Sequence, residues 1–212
     1  MNKKRNIDKI KNLEGSPKVI KNLFSKNEIE KFLNLYQELP TTVHNKKQNV
    51  VKKRWLKNYN KELESVFYDR VKNEIGDFKM DNLKDENNND ILGLFQESYN
   101  PIGLHVDAGF NLDEIIFKQT LIPLTSKGST VIFKNKFYGN STNFTIDENE
   151  LKVKDLKYGQ NFRSSEHLEM YEKKLFKKED HEKYLKHEKI ENLSGLEIDL
   201  VYEWEVGSML IF

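Results

Sequence analysis

The chain has 212 residues, enough for one domain with a proper core, and a net charge of +1 with 33% charged residues. Nothing in that balance pulls it toward nucleic acid or a membrane surface, and the absence of cysteine excludes disulfides, thiolate metal sites and cysteine nucleophiles. No apolar run reaches the length of a membrane span, and the basic start Met-Asn-Lys-Lys-Arg-Asn lacks the apolar stretch of a signal peptide, so a cytoplasmic location is expected.

In chain order, residues 17–40 open on a short apolar segment, Val19-Ile20-Lys-Asn-Leu23-Phe24, followed by a capping box, Ser25-Lys-Asn-Glu28. Ile29, Phe32, Leu33 and Tyr36 then recur at helical spacing and predict one buried face. Residues 41–55 are polar and read as irregular. A second helix is predicted over 60–75, with Leu63, Val66, Phe67 and Val71 on one side and Gly76 as its stop. The Asn- and Asp-rich run from Asp81 to Asp90 reads as a loop. From residue 91 the period changes to that of strands: Ile91–Tyr99, Ile115–Leu124, Thr130–Lys134, Leu151–Val153, Ile198–Trp204 and Ser208–Phe212. Residues 160–190 form a charged helical insertion, with Leu168, Tyr171, Leu175, Tyr184 and Leu185 expected to point inward. Helices first and short strands later predict an α+β, mainly β, single domain: a jelly roll over 91–212 supported by helices in 17–76.

The segment most suggestive of chemistry is His105-Val-Asp107. On extended chain a His and a carboxylate two apart point the same way. That arrangement supplies two ligands of the 2-His-1-carboxylate triad that holds non-haem Fe(II). With 34 acidic residues in 212, the bare spacing recurs by chance, and His167-Leu-Glu169 is a second instance, set in a Lys/Glu-rich stretch that reads as helix. The alternative for His105 is a buried, hydrogen-bonded core histidine.

Three ordered segments carry a resemblance. Phe95-Gln96-x-x-Tyr99-x-Pro101-x-Gly103-x-His105-x-Asp107, then Phe117-Lys118-Gln119-Thr120-Leu121-Ile122-Pro123-Leu124, then Trp204-x-x-Gly207-Ser208-Met-Leu-Ile-Phe212 resemble the Fe(II)/2-oxoglutarate-dependent dioxygenases. The entry Ile20-Lys-Asn-Leu-Phe-Ser25 is similar to that of prolyl-hydroxylase-like and phytanoyl-hydroxylase-like members. The resemblance implies a double-stranded β-helix, a cupin-like jelly roll that binds Fe(II), takes 2-oxoglutarate and O2 as co-substrates, and hydroxylates a small-molecule or peptidyl substrate. It implies His105 and Asp107 as metal ligands. Family members hold the far carboxylate of 2-oxoglutarate with a buried Lys or Arg, for which Lys118 is the candidate here. By alternation Thr120 and Ile122 would share its direction. Thr130 could donate a hydroxyl to the same carboxylate, and Tyr99 could line the pocket or bond the co-substrate. An outward, solvated Lys118 and ordinary packing roles for Thr130 and Tyr99 are the alternatives. Gln96 and Arg163 are weaker candidates for substrate contact, and Trp204 reads as core.

The sequence departs from the family pattern in one respect: the distal His and the Arg that often follows it are missing, because the chain stops at Phe212 within an apolar run. It reads as cut short before that His, with a naturally degenerate member as the alternative, and weak iron binding with little or no turnover is expected. Two competing readings are a catalytically silent jelly-roll binding module and a cupin-type metalloenzyme that uses no oxoglutarate. Substrate and oligomeric state are not legible, and no basic groove argues for nucleic acid.

Overall fold

The computed structural model describes residues 15–45, 50–78, 80, 84–105, 119–135 and 174–212. Among them the elements run β1 (Lys18–Ile20), α1 (Lys26–Glu38), β2 (Thr41–Asn45), β3 (Val50–Leu56), α2 (Lys61–Ile75), β4 (Ile91–Ser98), β5 (Thr120–Leu121), β6 (Ser129–Phe133), α3 (Lys178–Tyr184), a 3-10 turn (Ile190–Leu193), β7 (Ile198–Glu203) and β8 (Met209–Ile211). The fold is α+β, with small antiparallel sheets ordered β1-β8-β5, β2-β3-β4 and β6-β7. The expected strands at 115–118 and 151–153, and the expected helix over 164–173, lie outside the described residues.

Helix α1 starts where its capping box predicts. Ser25 Oγ accepts from the Glu28 N–H at 3.3 Å, and the Ser25 N–H donates to the Glu28 carboxylate at 2.7 Å. The other carboxylate oxygen of Glu28 takes a forked pair of bonds from Arg70 of α2, at 2.9 and 3.1 Å, so the cap also ties the two helices together. Ser25→Ala is expected to cost about 1 kcal/mol, measured by urea unfolding; no change in midpoint would show that the Glu28–Arg70 fork holds the turn alone. Helix α2 is capped by the Asn60 side chain and stops at Gly76, whose φ of +78° suits a residue without Cβ. Ile29, Phe32 and Leu35 of α1 and Leu63 and Val71 of α2 are buried in one cluster with Trp55, Leu92, Met209 and Ile211. Leu35 belongs to that buried face, whereas Leu33 is only partly buried.

Of residues 41–55, expected to be irregular, the described ones form strands: 41–45 are β2 and 50–55 lie in β3, which is paired on both sides, to β2 and to β4. The Lys-Lys-Arg run disguised a strand because its long side chains keep their charges out while their stems pack. Lys53 lays its ammonium 4.2 Å from the centre of the Tyr36 ring and donates to the Tyr36 carbonyl at 2.6 Å. On the same face Trp55 meets Phe32 of α1 edge-on at 5.8 Å.

The second half of the fold is one long ribbon. Its arms, 119–134 and 197–212, are antiparallel along their length: Gln119 pairs with Phe212, Thr120 with Ile211 and Leu121 with Leu210. Beyond these, the Gly207 N–H reaches the Pro123 carbonyl and the Trp204 N–H the Gly128 carbonyl. Ser129 to Phe133 then pair with Glu203 to Ile198, and the Lys134 N–H closes on the Glu197 carbonyl. The outer part of the ribbon lies in one sheet, where β1 adds to the free side of β8; the inner part is the β6-β7 sheet.

Strand β8 is covered on both faces. Met209 and Ile211 face the helices in the main core, while Leu210, which alternates with them, is equally inaccessible on the opposite face. The buried Ser208 hydroxyl bonds to Tyr202 of β7. A strand buried on both faces reads as a continuous apolar run, as Met-Leu-Ile does.

The 174–196 segment packs on the β6-β7 sheet through a second cluster of Phe176, Leu185, Leu193 and Leu196, against Val131, Phe133 and Ile198. Leu175, expected inward, is instead 89% exposed, and Phe176 beside it is buried. In extended chain the two point opposite ways, and the larger ring takes the core side against Phe133. No helix among the described residues is long and apolar enough to cross a membrane.

Candidate functional site

His105 follows β4 by way of the turn Tyr99–Gly103 and occupies a β-bridge position, partly buried. Its ring Nδ1 lies 2.7 Å from the Gly103 carbonyl. A carbonyl only accepts, so Nδ1 carries a proton, and in the neutral form of the ring the lone pair is that of Nε2. A backbone carbonyl on one ring nitrogen is the usual way a metal-ligating histidine is oriented, so the ring as held here suits a metal on Nε2. Asp107 and Lys118 lie outside the described residues. Among the described residues no group of three or more His, Asp or Glu is placed to hold a metal ion.

The segment carrying His105 is gripped from the insertion. Glu188, only 4% exposed, accepts from the Leu104 N–H at 2.6 Å and from the Asn192 side-chain amide at 3.3 Å. Burial pushes the Glu188 carboxyl above the usual carboxylate range, opposed by those two bonds and by the nearby His105. His187, next in the chain, donates a ring N–H to the Ile102 carbonyl, while burial holds its pKa below the ordinary histidine value. His181 Nε2 donates to the Glu188 carbonyl at 2.9 Å. Leu104 itself packs in the second cluster. His181 and His187 both belong to the insertion expected to be helical over 160–190. The helix ends at Tyr184, and the turn after it brings both imidazoles to the Glu188 and Ile102 backbone. Sequence reasoning missed Glu188 altogether. A Glu amid Lys and Glu reads as solvated, and only the docking of Leu185 and Leu193 on the β6-β7 sheet buries it.

The remaining candidates are dispersed. Thr130, on β6, accepts from the Trp204 indole N–H at 2.9 Å, which leaves its hydroxyl proton available to donate. Trp204 is accordingly half-buried against β6 rather than in the main core. Tyr99 is 63% exposed and its hydroxyl donates to Glu97, which Tyr36 also bonds. Those two hydroxyls hold the Glu97 carboxylate below its usual range. Gln96 bonds Ser98 on its own exposed strand face, and Arg163 lies outside the described residues. Thr120, opposite Ile211, is exposed, while Ile122 packs on the helix-side core. Comparison with protein-family models, with curated proteins and with solved structures returns no match for this chain.

Proposed function

We propose that the chain is an Fe(II)- and 2-oxoglutarate-dependent oxygenase domain of jelly-roll form, cytoplasmic, acting on a small-molecule or peptidyl substrate. The observation that carries this reading is the ribbon. A jelly roll is an antiparallel ribbon rolled so that successive pairs fall alternately in two sheets. Here the outer pair β5-β8 and the inner pair β6-β7 are bonded in succession but belong to different sheets. His105 stands just before the outer pair, where the resemblance sets the metal-binding segment. His105 and Asp107 would hold Fe(II), and Lys118 with the Thr130 hydroxyl would receive the far carboxylate of 2-oxoglutarate. Tyr99, exposed and bonded to Glu97, serves this reading least well. With O2, the bound iron and oxoglutarate supply the oxidising chemistry. The protein's own part is to hold the His105 ring in one tautomer beside the insertion.

The test is an anaerobic titration with Fe(II) and 2-oxoglutarate, read by the visible charge-transfer absorption of the chelate. A band is expected for this chain, and its loss in His105→Ala. A chain that gives no band leaves the jelly roll as a binding module without oxygenase chemistry.

A further inference from the structure

We propose that Glu188 is a positioning residue for His105, fixing the backbone turn that sets the direction of the imidazole. The observation is a two-point grip on three residues. The carbonyl of Ile102 is held by His187 and the N–H of Leu104 by Glu188. Between those points Gly103 is buried, and its carbonyl is the group that takes the His105 Nδ1 proton. The turn therefore cannot rotate without breaking a bond from one of two consecutive residues of the insertion. Those two residues are anchored in turn. The Glu188 N–H donates to the Leu185 carbonyl at 2.9 Å, its own carbonyl takes the His181 ring, and Asn192 holds its second carboxylate oxygen. Leu185 and Leu193 on either side are buried against the β6-β7 sheet. The insertion thus belongs to the site as the wall that presents His105. The consequence for metal binding rests on the oxygenase reading; the orientation of the ring does not.

The experiment follows the His105 ring nitrogens by long-range proton–nitrogen NMR of the labelled full chain near pH 8, assigned by their loss in His105→Ala. Alongside it, Co(II) alone is titrated as a metal probe. In the unaltered chain Nδ1 is expected to carry the proton. Glu188→Gln keeps an oxygen for the Leu104 N–H and is expected to keep that tautomer. Glu188→Ala is expected to release the ring to the Nε2–H form and to weaken Co(II) roughly 10–100-fold. Glu188→Asp retains the charge but retracts it by one methylene, and carries the same test if the alanine variant does not fold. A folded Glu188→Ala or Glu188→Asp chain with the original tautomer and Co(II) affinity within about twofold overturns the proposal. So does a Glu188→Gln chain that fails to fold or loses the tautomer. A chain that binds no Co(II) but loses its tautomer in Glu188→Ala keeps the positioning role and removes the metal reading. Binding of Co(II) with no response to Glu188 does the reverse.

Discussion

Gly207→Ala is expected to lower stability by about 3 kcal/mol, roughly 10 °C in Tm for a chain of this size. Two penalties combine there. Gly207 has a φ of +81°, where an L side chain costs about 1–2 kcal/mol. A Cβ built on it would also stand 2.6 Å from the Phe24 carbonyl oxygen. That oxygen is backbone and cannot swing aside, because the Phe24 N–H is bonded to the Gly207 carbonyl at 2.9 Å. Overpacking of this kind adds about 1–3 kcal/mol. Two control variants separate the terms. Gly76 has a φ of +78° but open space around it, so Gly76→Ala should cost the strain alone. Gly93 has neither feature, and Gly93→Ala should leave the thermal midpoint nearly unchanged. If Gly207→Ala and Gly76→Ala melt together, the contact between the 206–208 turn and the entry to α1 is not the constraint described. The structural stake is high, since that contact joins the beginning of the described fold to its last strand.

Leu210→Ala is expected to cost roughly 3 kcal/mol, within the 2–5 kcal/mol range of buried leucine truncations. Met209→Ala should cost a similar amount from the opposite face. Met209 packs against the helices, and a loss there would follow from the helical layer alone. Leu210 points the other way and is nonetheless inaccessible, so its cost depends on a second layer covering that face of β8. Leu94, 51% exposed on β4, provides the baseline and should shift the urea midpoint by no more than about 0.5 kcal/mol on truncation. A small effect at Leu210 beside a large one at Met209 would mean that the Leu210 face of β8 is not covered as described.

The two helices were legible because each carries its own start and stop. Ser25 with Glu28, and Asn60 with Gly76, act through bonds within a few residues, and such signals survive without tertiary context. Strands β6 and β7 were legible from their β-branched and aromatic residues, and β4 and β8 from their apolar runs Ile-Leu-Gly-Leu-Phe and Met-Leu-Ile. Strand β3 was not, because its Lys-Lys-Arg run fits a strand only when Tyr36 stands ready to receive Lys53 and Phe95 the Trp55 ring.

At the site, the sequence by itself determined that a histidine would follow β4 after a Pro- and Gly-containing turn, with a carboxylate two residues on. Local spacing is enough for that. Which groups would hold that histidine was a tertiary matter. Glu188 stands 83 positions after His105, in a stretch whose charge pattern reads as a solvated face. It is buried because Leu185 and Leu193 dock on the β6-β7 sheet, and it becomes the partner of Leu104 because that sheet and the end of β4 meet there. Burial and long-range hydrogen bonding are set by where distant elements pack, and no spacing within a single segment encodes that.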